Sequence, residues 1–418
     1  MHPFIRCGLF LLAAAATSRG SVIVVDPGGG SGGAALLQSA IDAAQEGDIL
    51  LLRPGDYASP AGGHPLLFDK GLTLIVDGPP GSVVLSGMWI ASLPGHHLFV
   101  RGLHVAPQPL VGFPQGAVTL SYQGTIWFED CVFTGDVADN QSSAPGLGIA
   151  CCPQFPQPSL TLVRCRITGG DGTDALPHTP ARPGAPGAAL MWASVTIHEC
   201  LLQGGKGGDG DPFVGGNPFL ASGGSGLGFS EGSVSILGCT LQGGDEGLDN
   251  PLETMPGSGL SLNLTDANVR DTEMHAGSVN GHGTPAPDIQ ATGSSLVAFP
   301  AALRSLSVPS PLREGEDSVV HVQGEVSDEV WVYLGLSAAL KPMEFKQGDF
   351  VLDDVFPAPA ILGAITAASG ELDVPFHLPQ LPTGIDGVLI TLQSAVMPAS
   401  GGFLLGSGSA LVWLDDAL

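Results

Sequence analysis

Short runs of alternating apolar and polar residues recur along the chain, and four share one frame: apolar, any, apolar, two turn residues, Cys, any, apolar, then polar-Gly. They read IWFEDCVFTG (126–135), LTLVRCRITGG (160–170), VTIHECLLQGG (195–205) and VSILGCTLQGG (234–244). LFVRGLHV (98–105) keeps the frame with Leu103 in the cysteine column, and ANVRDTEM (267–274) and IQATGSSL (289–296) continue it with Thr272 and Ser294 there. The column falls at 103, 131, 165, 200, 239, 272 and 294, so the spacings are 28, 34, 35, 39, 33 and 22. Period-two alternation predicts strands, and the two intervening residues predict a tight bend. A further apolar stretch opened by Gly and small residues precedes each pair: GAVTL (116–120), GLGIA (146–150), GAALMW (187–192) and SGLGF (225–229). Each repeat is therefore a coil of three short strands, bare at a spacing of 22 and carrying insertions at the longer ones. One coil cannot bury its inward side chains, whereas stacked coils make a continuous core. Column neighbours then lie one strand spacing apart, ~4.8 Å, within Cα reach of a disulfide. Bridges between in-register parallel strands are disfavoured and small thiols suit a core column, so free packed thiols are expected, with Cys151 and Cys152 unassigned.

Ahead of the coils, ALLQSAIDAAQ (35–45) is amphipathic, with Leu37, Ile41 and Ala44 on one face. A helix there closes the first coil, whose bare strand edges would otherwise invite aggregation. From about Ser305 the coil pattern stops. Separate strands follow, SVVHVQGEV (318–326), VWVYLGLSA (330–338), LDVPFHLP (372–379), GVLITLQSAV (387–396) and ALVWLD (410–415), punctuated by Pro and Gly. Such spacing without helices predicts a small β-sandwich.

The coils, together with VIVVDPGGGSGGAALLQSAIDAAQEGDILLLRPGDYASP (22–60), resemble the right-handed parallel β-helix proteins of the pectin-lyase-like superfamily. In that family a capping helix is followed by a strand with a GDxIxxxPGxY-like ending, here Gly47-Asp48, Ile49–Leu52 and Pro54-Gly55-Asp56-Tyr57. The resemblance spans residues 22–305 and implies an all-β fold: a right-handed parallel β-helix with an N-terminal capping helix, followed by a small β-sandwich. The expected division is 1–17 signal peptide, 22–304 β-helix and 305–418 sandwich. The last part is similar to C-terminal modules of secreted β-helix proteins from planctomycete-like bacteria, a resemblance that carries no chemistry.

Charge and the N-terminus set the compartment and the partners. Arg6 precedes an apolar run from Cys7 to Ala16, followed by Thr17-Ser18, the pattern of a secretory signal peptide cleaved near Ala16. The run is too short to span a bilayer and no later stretch is long enough, so a secreted or cell-surface protein is expected. With 14 Lys+Arg against 40 Asp+Glu, the net charge is −26. Nucleic acid and anionic membranes are bound through clustered Lys/Arg, so both are excluded, and an anionic partner needs a bridging cation.

The most repeated polar feature is the insertion after each cysteine strand: TGDVADN (134–140), GGDGTDAL (169–176), GGKGGDGD (204–211) and GGDEGLDN (243–250). Stacking should bring Asp136, Asp171, Asp174, Asp209, Asp211, Asp245 and Asp249 to one side. GGDGTDAL matches the GGxGxDxU calcium repeat, although true calcium rolls repeat every nine residues. Two readings stand: solvated Gly-Asp loops, or Ca²⁺ sites. In pectate lyases of the superfamily, loops at this place border the substrate groove, Ca²⁺ bridges acidic protein to acidic sugar, and Arg or Lys takes the proton. Between Pro183 and Val269 the only such residue is Lys206, which leaves Arg182, Lys206 and Arg270 as candidate bases. Asn280-Gly281-His282-Gly283 resembles the GHG motif of polygalacturonase-type hydrolases, but the carboxylate pair such enzymes need does not accompany it. Glu129-Asp130 and His198-Glu199 read as solvated bend residues. Trp127, outward between inward Ile126 and Phe128, and Tyr122 are candidates for stacking on a sugar. The expected function is non-catalytic binding of a polysaccharide or cell-surface glycan, or surface scaffolding. Its rival is a calcium-dependent polysaccharide lyase or glycoside hydrolase.

Overall fold

The computed structural model describes residues 20–418 apart from 29–32, 58–64, 92–94, 107–116, 122–123, 137–142, 150–156, 175–180, 210–221, 249–254, 280–283, 300–301, 336, 343–348 and 354–360. The leader, Tyr122, Cys151, Cys152, Asp211, Asp249 and His282 lie outside the described residues.

The chain forms an all-β parallel β-helix followed by antiparallel sheets. Each coil contributes to three parallel columns. The first runs through Leu66–Phe68, Met88–Ala91, Val118–Ser121 and Leu147–Ile149; the second through Val22–Val25, Ile49–Leu52, Thr73–Val76, His97–Arg101, Thr125–Glu129 and Ser159–Val163. From Ala188–His198 onward the two columns fuse into long strands, Leu227–Leu237 and Leu260–Arg270, before parting again as Ile289–Thr292 and Ser295–Phe299. The third column runs from Gly55–Asp56 to Glu273–His275. Alternation puts Leu98, Ile126, Leu160, Val195 and Val234 inward in one unbroken apolar core. The helix Gly33–Ala43 places Leu37 and Ile41 in the same core, closing its N-terminal end.

Two bends per coil carry left-handed residues. Gly102, Asp130, Arg164, Glu199, Gly238 and Asp271 precede the cysteine column, and Trp192, Glu231, Leu264 and Gly293 mark the joint between first and second columns. Cys131, Cys165, Cys200 and Cys239 are buried free thiols, and Thr272 continues their column by accepting the Cys239 N–H at 3.4 Å. Ser294 does not. It accepts the Thr265 N–H at 3.0 Å and belongs to the other bend, after Gly293. The final spacing of 22 is therefore not a coil; that length occurs instead between Leu66 and Met88, paired one coil apart.

After Phe299 the chain builds a three-stranded sheet (Ser305–Ser307, Asp317–Gln323, Glu371–His377) and a five-stranded sheet centred on Glu329–Gly335, Gly387–Met397 and Leu404–Leu414. Their inner faces share a core of Val320, Val322, Val330, Ile390, Leu411 and Trp413. The last strand, Leu404–Leu414, is buried along its whole length. Leu411 and Trp413 face that core, while Ala410, Val412 and Leu414 pack on Ile49, Leu51, Ile75, Phe99 and Trp127 of the second column. An unbroken apolar run such as ALVWL is what burial on both faces demands. One lateral face of the β-helix is thus sealed by its own C-terminal sheets.

Candidate functional site

The Gly-Asp insertions stack coil on coil, as their repetition predicts. Outgoing segments (169–174, 204–209, 243–248) alternate with returning ones (181–187, 222–226, 255–259). A single hydrogen-bonded file links them: Gly170 N–H to Ala144 O, Ala185 to Gly170, Gly205 to Ala185, Gly224 to Gly205, Gly244 to Gly224, Gly257 to Gly244 and Gly277 to Gly257, at 2.7–2.9 Å. Glycine is required here for space, since none of these residues has positive φ. A Cβ on Gly205 would sit 2.0 Å from Gly170 O, and one on Gly244 1.9 Å from Gly205 O.

The aspartates serve the same stack. Asp171 accepts the Lys206 N–H at 2.7 Å, Asp174 the Asp209 N–H at 2.9 Å, Asp209 the Leu248 N–H at 2.9 Å and Asp245 the Ser278 N–H at 2.6 Å. Each carboxylate holds the backbone of the next coil. Among the described residues, no three of them come within chelating reach of one another; Glu314, Asp415 and Asp416 alone do so. The described aspartates therefore act as backbone clamps, and a Ca²⁺ ion among them would compete with those bonds.

Two of the candidate bases, Lys206 and Arg270, are likewise engaged through their side chains. Lys206 Nζ donates to Asp209 Oδ1 at 2.7 Å, and that bond raises the lysine pKa, so it keeps its proton. Burial pushes Asp209 up, but its bonds to Lys206 and the Leu248 N–H outweigh this and leave it below its ordinary value. Arg182 is tied into the stack through its backbone, donating to Thr173 O and accepting from the Gly208 N–H, while its buried Nε has no partner. Arg270 lies elsewhere: it is 6% exposed beneath the C-terminal sheets, with Nη2 donating to Leu405 O at 2.6 Å. It is an interdomain tie and not part of an acidic groove.

The same face overturns the reading of the bend residues as solvated. Glu129 is fully buried. Arg101 and Arg164 pair with it, and it accepts from Trp127 Nε1 at 3.1 Å, Ser409 Oγ at 2.7 Å and the Ala410 N–H at 3.0 Å. Asp130 takes a second bond from each arginine, at 2.9 and 2.8 Å. The carboxylates outweigh the effect of burial and raise the Arg164 pKa, so this guanidinium keeps its charge. Trp127, 1% exposed, points outward but into this seam and offers no open platform. It lines a cavity of about 300 Å³ together with Ile49, Phe99, Leu389, Glu46 and His97.

His198 is 3% exposed on the same ladder, and its Nδ1 has no partner. Burial, then the charges of Arg270 and Arg164, push its pKa down to about 3. The unfolded chain takes up this proton near pH 6.5 and the folded chain does not, so the contribution is full above that pH and is lost as pH falls. Glu199, raised by burial, works in the opposite sense above its ordinary carboxyl range. Between pH 6.5 and 5 His198 is expected to remove about 2 kcal/mol of stability. Denaturant unfolding across that range should show the decline, and His198→Gln should flatten it; an unchanged slope would refute the assignment.

The open surface lies on the first column. Its outward ladder reads Leu67, Trp89, Thr119, Gly148, Ala189, Gly228, Ser261, Gln290, each paired with the next. Beside it runs a second ladder of Met191, Ser230, Asn263 and Thr292. Every one of these residues is uncharged, in a chain of net charge −26. Trp89 is 43% exposed next to Leu67, and from Thr119 to Ser261 the residues that follow it on the outward ladder are small. Seven strand steps give it a length of roughly 34 Å. Sequence reading passed over Trp89, although its outward place between Met88 and Ile90 follows from alternation alone.

No family model and no curated protein matches the chain. Among solved structures it is similar to the PL6 family alginate lyase AlyGC, at 11% identity over 68% of this chain and 40% of that one, with a TM-score of 0.28. A variant of that lyase gives 14%, 69%, 40% and 0.31. The tailspike protein gp49 from Acinetobacter baumannii bacteriophage Fri1, a capsular polysaccharide depolymerase, gives 11% identity over 87% of this chain and 86% of that one, with a TM-score of 0.32. The chain thus spans 40% of the alginate lyase's length. At these scores no residue is carried across.

Proposed function

We propose that this protein binds an uncharged polysaccharide outside the cell, along the first-column track, without turning it over. The observation that carries this reading is the track itself: an exposed Trp89 at the head of a long, flat, uncharged ladder with hydroxyl and amide side chains at Thr119, Ser261, Asn263 and Gln290. An aromatic face offers a sugar ring apolar contact, and small neighbours let a polymer lie close to the sheet while the polar side chains meet its hydroxyls. The net charge of −26 favours a neutral glycan over an acidic one. The Lys206 ammonium and the Arg270 guanidinium are engaged in the clamps and the seam, which supports binding over elimination by either.

Calorimetric titration of the mature protein with neutral and acidic polysaccharides tests this. A neutral polymer should bind, and Trp89→Ala should weaken it by about 2 kcal/mol, roughly 30-fold, with the unfolding midpoint unchanged. Failure of every neutral polymer to bind would sink the proposal. So would release of unsaturated sugar on addition of Ca²⁺, which would return the chemistry to the aspartate loops.

A further inference from the structure

The seam between the β-helix and the C-terminal sheets is not filled along its whole length. On the strand Gly387–Met397, Val388, Ile390 and Leu392 face the sandwich core, so alternation turns Gly387, Leu389 and Thr391 toward the β-helix. All three line the cavity of about 300 Å³, and the small residues on either side of Leu389 leave that space open. The opposite wall is the second column, with Ile49, Thr73, Phe99 and Trp127. The rings of Phe99 and Trp127 stand 6.4 Å apart at 49°. Of the lining residues only Glu46, Gly47 and His97 are exposed, so the cavity opens at that end. Two polar side chains serve it. Thr73 is 6% exposed and lies on the seam side of its strand, since Leu74 and Val76 are inward, and its hydroxyl makes no hydrogen bond among the described residues. Glu46 is half-exposed at the mouth; its Oε2 takes the Gly71 N–H at 2.8 Å and His96 Nδ1 at 2.6 Å, which fixes the carboxylate and leaves Oε1 open.

We propose that this cavity is a binding site for a small aromatic amine. Size sets the body of the ligand: an apolar cavity of about 150 Å³ takes up benzene, so twice that volume suits two fused rings. The walls set its chemistry, because Phe99 and Trp127 offer tilted aromatic contacts and Ile49 and Leu389 apolar ones. A buried hydroxyl without a partner is costly, and a polar atom on the ligand would satisfy Thr73. Charge sets the head group. The open oxygen of Glu46 stands where a ligand would reach solvent, and a chain of net charge −26 draws a cation and repels an anion. The site lies on another column from the polysaccharide track and does not depend on it.

Calorimetric titration of the mature chain with three indoles tests the proposal: tryptamine, which carries an ammonium, indole, which is neutral, and indole-3-acetate, which carries a carboxylate. Tryptamine should bind one to one, and indole-3-acetate at least about 10-fold more weakly. Leu389→Trp fills the space and should weaken tryptamine at least about 10-fold. Glu46→Gln keeps an acceptor for the Gly71 N–H; it should weaken tryptamine about 10-fold and leave indole unchanged. Nitrogen–proton correlation spectra of the unaltered protein give a readout independent of any variant. Tryptamine should move the indole N–H signal of Trp127 and leave that of exposed Trp89 in place. Failure of tryptamine to bind overturns the proposal. So does indole-3-acetate binding as tightly as tryptamine, an affinity indifferent to both variants, or a signal that moves at Trp89 and not at Trp127.

Discussion

Replacement of Glu129 by alanine is expected to cost about 3–5 kcal/mol and to uncouple the C-terminal sheets from the β-helix. The side chain is fully buried and neutralises Arg101 and Arg164, and its loss leaves Asp130 as the carboxylate still paired with both. Its removal also frees the Ser409 hydroxyl, the Ala410 N–H and the indole N–H of Trp127 in a space that water does not reach. Glu129→Gln keeps the shape and loses only the charge, so it should fall between alanine and the unaltered protein. Guanidinium unfolding should resolve one cooperative transition in the unaltered protein and two in Glu129→Ala, with proteolysis between residues 299 and 305 accelerated. A loss below about 1 kcal/mol, the range of exposed ion pairs, would show that the seam is held by its apolar contacts alone.

The second large effect belongs to the glycine file. Gly244→Ala places a methyl group 1.9 Å from Gly205 O, against backbone that cannot swing aside. The neighbouring segments must separate and give up the hydrogen bonds that Gly244 makes to Gly224 and Gly257. Overpacking of this kind costs about 3 kcal/mol or more. Gly401→Ala is the comparison: φ is +84° there and nothing lies within 4 Å, so only backbone strain of about 1 kcal/mol is added. Thermal unfolding of the two variants should therefore separate clearly. Equal midpoints would mean that the stack is loose enough to accept a side chain.

The cysteine frame made the coils and their three-strand composition legible, because inward positions must be apolar at every turn, and the amphipathic face of Leu37 and Ile41 did the same for the capping helix. It failed at Ser294, where two bends of similar composition occur in each coil and only the hydrogen bond to Thr265 tells them apart. The seam was harder to read. Alternation shows that Trp127, Glu129 and His198 point outward from the coil, but not what lies over them. A clue was present in ALVWL, too continuously apolar for a strand with one wet face. Arg101 and Glu129, paired one coil apart, with Arg164 at the bend of the coil after them, were a second. The Gly-Asp insertions were legible as a repeat but not as a packed one. Glycine serves for freedom of φ or for closeness of approach, and a sequence does not distinguish the two.

The thiol column has a use beyond packing. Cys131, Cys165, Cys200 and Cys239 occupy one position in four successive coils, and burial pushes the thiols of Cys131 and Cys200 well above their ordinary pKa. Enclosed in the core, all four are out of reach of reagents while the coils are closed. A solenoid opens locally, neighbour by neighbour. The rate at which each sulfur accepts an alkylating reagent is therefore a clock for the opening of its own coil, and the four together chart where along its axis this protein first comes apart.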